Sequence, residues 1–368
     1  MSRTQTLTAL LLVAAQQINA APLHSSQAAD NVTQDTSVFD YIIVGSGAGG
    51  IPVAAGLAAS GARTLLIERG PPSSGRWATP EYGGLADQGW EPEWMASSNL
   101  TTFDVMSLYT EIWVGNYSEN IFCPDVSGAI AGCVLGGGTS INAGLWWVPS
   151  TIDWDYNFIG ADGWTSADMQ NATDRVFAKI PGTSIPSTNG ELYLQQGAHV
   201  LENALRQAGF EQEVSNDVPD QKTQRKVFGN TTFMYENGER GGPMATYLVD
   251  AVQRPNFSLW TNTVVERVLR NGSEATGLTI TSGGAGGHSG TVSLSGKGGI
   301  ILSAGAFGTP KLLFRSGIGP QDQLEIVKEV EGDLMVAESE WIDLPVGFNL
   351  ADNINVRLTP FPYVLFMY

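Results

Sequence analysis

Apolar positions gather in two short runs, residues 39–44 and 64–67, with a glycine-rich turn and a stretch of helical character reaching Ser60 between them. A continuous apolar run of this length, bounded by turn residues, predicts a strand buried on both faces. The turn reads Gly45-Ser46-Gly47-Ala48-Gly49-Gly50, and the second run ends in an acid, Glu68. Strand, Gly-x-Gly-x-x-Gly turn, helix, strand and terminal acid form a βαβ unit of the dinucleotide-binding kind. Gly45 permits the tight turn, Gly47 lets backbone approach a pyrophosphate, and Gly50 lets the helix lie close on the strand. The helix N-terminus offers N–H groups and partial positive charge to phosphate, and Glu68 is placed to accept from ribose hydroxyls. Pro52 is compatible with this only in the first helical turn.

Periodicity then lapses. Gly70-Pro71-Pro72 opens an irregular stretch carrying Trp77, Trp90 and Trp94 that runs to about Phe122, and loops this long are commonly functional or cover a ligand. Helical spacing returns over 166–179 and 191–208. Strand patterns occupy 264–269, 277–281, 291–294 and 300–303, with a glycine-rich loop over 283–290 and a new helix after Ala304-Gly305.

Composition sets the class. The chain has 368 residues, 42% hydrophobic and 15% charged, enough for two domains with real cores. Its net charge of −18 disfavours nucleic acid and anionic membrane as partners and suits a neutral small molecule better than a polyanion. Arg3, an apolar stretch over 7–15 and Ile18-Asn19-Ala20 before Ala21 read as a secretory signal over 1–20, followed by a polar, disordered lead-in over 21–37. Seven Asn-x-Ser/Thr sequons, at Asn31, Asn99, Asn116, Asn171, Asn230, Asn256 and Asn271, agree with a secreted, extracellular glycoprotein wherever they are exposed. Cys123 and Cys133 pair as a disulfide in an oxidising compartment, the alternative being two buried thiols.

Four blocks give the chain a wider resemblance. Besides the βαβ unit they are Gly132-Cys133-Val134-Leu135-Gly136-Gly137-Gly138-Thr139-Ser140-Ile141-Asn142 with Trp146 and Pro149; Gly305-Ala306-Phe307-Gly308-Thr309-Pro310-Lys311-Leu312-Leu313-Phe314-Arg315-Ser316-Gly317-Ile318-Gly319; and Leu344-Pro345-Val346-Gly347-Phe348-Asn349 with Asp352-Asn353. Over about 39–353 the chain resembles the glucose–methanol–choline (GMC) flavin oxidoreductases. The resemblance implies an α/β fold, with a Rossmann-like FAD-binding domain over 38–155 and 225–330. It also implies a second, partial α+β substrate domain, an antiparallel sheet plus helices, over 156–224 and 331–368. FAD would bind at Gly45, Gly47, Gly50, Glu68, Gly137, Gly138, Thr139, Ser140, Asn142 and Val265. In that reading glycine at 136–138 lets backbone pass under the flavin, Thr139, Ser140 and Asn142 present hydroxyl, amide and backbone groups to it, and Val265 meets the adenine. Trp146 and Trp147 either pack the core or face substrate, and the block from Gly305 packs a helix on the sheet.

Within the family the chain looks most like the flavin domain of cellobiose dehydrogenases. Phe228-Gly229, Asn237-Gly238-Glu239-Arg240, Gly242-Pro243-Met244-Ala245-Thr246-Tyr247-Leu248 and Arg254-Pro255-Asn256-Phe257 carry that likeness. It implies an FAD-dependent dehydrogenase or oxidase acting on CH–OH groups of a sugar or alcohol, cellobiose-like carbohydrate favoured, with oxygen, a quinone or another electron acceptor. No metal is implied, and the haem domain that precedes such flavin domains has no counterpart before Asp40. The family's catalytic histidine belongs to a stretch beyond Tyr368, so the chain reads as an interrupted one. His24, His199 and His288 lie outside any catalytic context, His199 as a structural or solvated helix residue and His288 in an exposed loop. The alternative is a non-catalytic FAD-binding protein. Glu68 alone would also allow an NAD-dependent dehydrogenase, against which the 136–142 block argues.

Overall fold

The structure, a computed structural model, describes residues 38–77, 95, 98–114, 121–126, 129–193, 195–217, 219–220 and 226–352. The segments expected to be a signal over 1–20 and a lead-in over 21–37, with His24, Trp90, Trp94, Asn353 and the apolar stretch 360–368, lie outside them.

The predicted βαβ unit forms as β1 (Val38–Val44), α1 (Gly50–Ala59) and β2 (Thr64–Ile67). Pro52 sits in the first turn of α1, where it costs no intrahelical donor. Side chains alternate across β1. Ile42 and Val44 join one core with Leu65 and Ile67, whereas Ile43 joins another with Leu66 and with Ile51 and Ala54 of α1. All four residues of β2 are buried, as a strand covered on both faces requires.

Four more strands complete the sheet: β3 (Phe257–Trp260), β4 (Thr263–Asn271), β5 (Glu274–Ser282) and β6 (Gly290–Leu302), in the order β3-β2-β1-β6-β5-β4. Strands β3, β2, β1 and β6 run parallel, and β5 and β4 extend the sheet antiparallel. The two strand patterns at 291–294 and 300–303 are therefore one strand. Its first part pairs with both β5 and β1, its second with β1 alone, and at the irregularity between them the chain passes Asp40 so closely that a Cβ on Gly298 would fall 1.3 Å from the Asp40 carbonyl oxygen. Glycine here marks a close crossing inside a strand rather than an entry to one.

Helix α2 (Ser166–Lys179) has the predicted bounds, opened by a capping box between Thr165 and Asp168. Helix α3 (Gln196–Gln207) starts five residues later than the apolar spacing suggests, because the segment before it is held in turns by Ser187 and Asn189. Helices α4 (Tyr247–Ala251), α5 (Gly305–Arg315) and α6 (Gln321–Glu331) follow. Leu312 of α5 enters the core of the sheet, the packing role expected of that block. Among the described residues of 156–224 the structure holds α2, α3 and half of a two-residue parallel ladder, Glu211–Gln212 with Val227–Phe228.

Cys123 and Cys133 form a disulfide, with Cα atoms 4.9 Å apart, across a backbone pairing in which Cys133 N–H donates to Ile121 O and Cys123 N–H to Ala131 O. Closing a loop this short stabilises by roughly 2–3 kcal/mol in the chain-entropy model. Urea unfolding with and without reductant is expected to show that difference; coincident transitions would refute it.

Candidate cofactor and active site

The first loop is built around contacts that leave no room for side chains. A Cβ on Gly45, whose φ is +100°, would lie 2.3 Å from Ser303 O, and one on Gly50 would lie 1.9 Å from Gly45 O. At Gly47 and Gly49 the opposite holds, since a Cβ there would meet nothing within 4 Å. The N-terminus of α1 therefore opens onto free space, with its partial positive end facing that space.

The second loop meets the first. Residues Gly138–Ile141 form a single helical turn entered through Gly136 and Gly137, at φ of +91° and +53°. A Cβ on Gly137 would come 3.1 Å from the Gly47 Cα, so backbone packs on backbone where the two loops touch. Gly138 is exposed to open space and Thr139 is half-buried, its hydroxyl donating to Gly136 O. Asn142 is half-buried, and its Oδ1 accepts from Gly144 N–H at 3.0 Å. Ser140 differs from expectation. Its hydroxyl is fully buried and donates to Leu135 O at 2.7 Å, and its N–H donates to Gly137 O at 3.1 Å, so neither donor is turned to a cofactor.

Glu68 lies at the end of β2, 5% exposed, with protein donors on both oxygens. Oε2 accepts from Ser46 N–H at 3.0 Å and Ser46 Oγ at 2.5 Å, and Oε1 accepts from Gly70 N–H at 3.0 Å. A carboxylate has about four acceptor positions, which leaves one for a ligand hydroxyl. Burial pushes its carboxyl above the ordinary range, against the opposing pull of Ser46 and Gly70. Ser46, fully buried, also accepts from Gly136 N–H at 3.0 Å. One hydroxyl thus ties the first loop, the acid and the second loop together. Thr263 N–H donates to Glu68 O, which sets the start of β4 beside the acid. Val265, two residues on, packs its side chain against the sheet core and leaves its backbone for any adenine contact.

Sequence reasoning missed Ser46, Arg240 and the setting of His288. Arg240 is 4% exposed and belongs to a hairpin, Tyr235–Glu236 with Glu239–Arg240, turned by Asn237 and Gly238 at φ of +52° and +81°. Asn-Gly is a strong two-residue hairpin signal, so the element could have been found. His288 is half-buried, its ring stacked on Trp260 at 4.0 Å, rather than exposed in a free loop. His199 is an exposed helix residue 3.5 Å from Glu202. Trp146 stacks on Phe177 and donates to Ile180 O, which is packing, whereas Trp147 is exposed.

A mostly parallel sheet, a glycine turn at a helix N-terminus and a buried acid on the next strand define a dinucleotide-binding α/β protein. The chain belongs to the GMC oxidoreductase family, whose model matches residues 39–355. It is 29% identical over 329 residues to an oxygen-dependent choline dehydrogenase of Brucella anthropi and 30% identical over 330 residues to one of Brucella suis, in each case over 87% of this chain and 53% of the relative. The chain thus spans about half the length of the curated relatives it matches. Among solved structures, an FAD-dependent oxidoreductase from Chaetomium thermophilum superposes with a TM-score of 0.57 at 20% identity, over 78% of this chain and 49% of that one. A formate oxidase from Aspergillus oryzae gives 0.57 at 21%, over 80% and 50%. These likenesses share the mixed α/β fold with its mostly parallel sheet. FAD is the cofactor this membership supports, and the residues present fit it: two side-chain-free loops meet before a helix N-terminus, with a buried acceptor alongside.

Proposed function

We propose that the chain is the FAD-holding part of an oxidoreductase that acts on the CH–OH group of a small neutral alcohol or sugar. The observation that carries this reading is the meeting of the two glycine loops at Gly47 and Gly137 in front of the open N-terminus of α1. Bound there, FAD supplies a hydride acceptor for alcohol oxidation. The chain's own residues bind and orient. The positive N-terminal end of α1 and the glycine turn before it hold pyrophosphate, Glu68 takes a ribose hydroxyl on its remaining acceptor position, backbone near Val265 borders the adenine, and Gly138, Thr139 and Asn142 border the flavin. The division into a FAD-binding domain over 38–155 and 225–330 and a partial substrate domain over 156–224 and 331–368 belongs to the same proposal.

A cellobiose-like carbohydrate is the favoured substrate, supported by the blocks at 228–229, 237–240, 242–248 and 254–257. Choline, the substrate named for the Brucella relatives, is the competing candidate. Secretion is supported by the N-terminal segment, by the disulfide and by the exposure of Asn99, Asn171, Asn230 and Asn271. Asn256 is a poor glycan acceptor, since its amide nitrogen donates to Ala58 O and Ala62 O.

The test is an absorbance spectrum of the purified chain after loading with FAD, followed by anaerobic addition of cellobiose, choline or simple alcohols. A bound flavin spectrum that bleaches with one of them supports the oxidoreductase reading. Bound flavin that none of them reduces favours a non-catalytic FAD-binding role for this chain, and failure to hold FAD refutes the site.

A further inference from the structure

We propose that Arg240 is a positioning residue that fixes which end of the Asn142 side chain faces the cofactor, presenting the amide nitrogen as a donor. The inference rests on the reading that 136–142 borders the flavin.

Arg240 is a buried cation whose contacts are almost all neutral. Its Nε donates to Phe103 O at 2.7 Å, its Nη1 to Thr139 O at 3.1 Å and to Asn142 Oδ1 at 2.9 Å, and its backbone N–H to Asp104 O at 2.7 Å. The guanidinium lies over the Tyr235 ring, 5.3 Å from its centroid. Among the described residues no carboxylate forms an ion pair with it. The Asp104 carboxylate, close enough to be felt, is turned instead to Thr101 N–H and Oγ1. Nη2 has no hydrogen-bond partner among the described residues. An apolar side chain would fill this volume without the desolvation cost of a buried charge. The placement does little for Arg240 itself and much for the two segments it joins, 103–104 and 139–142.

The consequence falls on Asn142. Its Oδ1 receives two N–H donors, from Arg240 and from Gly144. Turning the amide over would set its own N–H groups against both, so the assignment is forced by the network. Nδ2 then carries two donors with no partner among the described residues. The edge of a flavin ring is rich in carbonyl and ring-nitrogen acceptors, which a free amide nitrogen complements and a free amide oxygen would leave unpaired. With Arg240 gone, Gly144 N–H alone would hold the amide.

The test uses the full chain and three probes, FAD, FMN and ADP, followed by calorimetry and flavin absorbance. Asn142→Asp keeps an oxygen toward Arg240, so the turn stays anchored, and replaces the free donor by an acceptor. It is expected to weaken FAD and FMN tenfold or more and to shift the flavin absorbance bands, with ADP affinity unchanged. Arg240→Met is expected to lose FMN affinity in the same direction, and Arg240→Lys to recover part of it. Asn142→Asp with wild-type affinity and spectrum overturns the proposal, as does equal loss of ADP and FMN in both Asn142→Asp and Arg240→Met, which is the mark of a merely structural role. A wild-type chain that binds ADP but no flavin also overturns it. If the wild-type chain binds none of the three, the cofactor reading itself fails.

Discussion

Replacing Gly50 with alanine is expected to destabilise the chain by about 3 kcal/mol or more and to abolish FAD retention, whereas the same change at Gly47 is expected to spare the fold. The added methyl at Gly50 would sit 1.9 Å from the Gly45 carbonyl oxygen. Nothing there can give way cheaply. Gly45 is itself pressed against Ser303 and Ala304 backbone, and its φ of +100° admits no other residue readily. The strain would have to lift α1 from β1, unpacking Ile51 and Ala54 from Ile43 and Leu66. Overpacking of a filled interior ordinarily costs roughly 1–3 kcal/mol, and contact with backbone rather than a side-chain tip places this case at or beyond the upper end. At Gly47 the methyl enters open space, so stability without cofactor should hold within roughly 1 kcal/mol while the methyl occupies volume needed by a pyrophosphate. Thermal unfolding of the apo chains together with flavin-binding titrations separates the two. Equal melting temperatures for Gly50→Ala and wild type would refute the packing argument, and full FAD affinity in Gly47→Ala would refute the placement of the phosphates.

The contrast between these two glycines shows what the sequence made legible. The βαβ unit could be read because every part of it is local: an apolar run, a turn with fixed glycine spacing and an acid at the next strand end. The helix at 166–179 announced itself by period, and the one that follows Ala304-Gly305 by the turn at its start. What could not be read depends on pairs far apart in the chain. The Gly298 crossing is explained only by Asp40, 258 positions earlier, so a single strand looked like two. The resemblance led the Ser140 hydroxyl to be expected at a cofactor, yet a single helical turn points successive side chains in different directions, and Leu135 O claims it. His288 looked free in a glycine-rich loop until Trp260 came beneath it. Arg240 is the instructive case: Asn237-Gly238 could have been read as a hairpin turn, but that the residue beyond it grips Phe103, Thr139 and Asn142 has no local signal.

Ser46→Ala is expected to cost about 3 kcal/mol at neutral pH and less in acid, because one hydroxyl serves two buried partners. Its loss leaves the Gly136 N–H without an acceptor, and an unpaired buried donor costs roughly 1–3 kcal/mol. It also removes one of the three hydrogen bonds on Glu68, a bond to a charged group worth roughly 1.5–3 kcal/mol when the acid is ionised. The pH dependence follows from the second loss. Burial raises the Glu68 carboxyl above its unfolded value, so between those two values the folded state binds more protons than the unfolded one and stability falls as pH rises. Ser46 restrains that rise by favouring the ionised form, and alanine removes the restraint. The folded value therefore climbs further in the variant, the interval over which stability is lost widens upward, and the deficit relative to wild type grows with pH until Glu68 is ionised in both. Below the unfolded value Glu68 is protonated throughout, and only the orphaned Gly136 N–H and a neutral hydrogen bond remain in the difference. Urea unfolding of both chains across the acid-to-neutral range measures this directly. A deficit that is flat with pH would mean Ser46 acts through Gly136 alone, and no deficit at all would mean that the two glycine loops hold their contact at Gly47 and Gly137 without the hydroxyl between them.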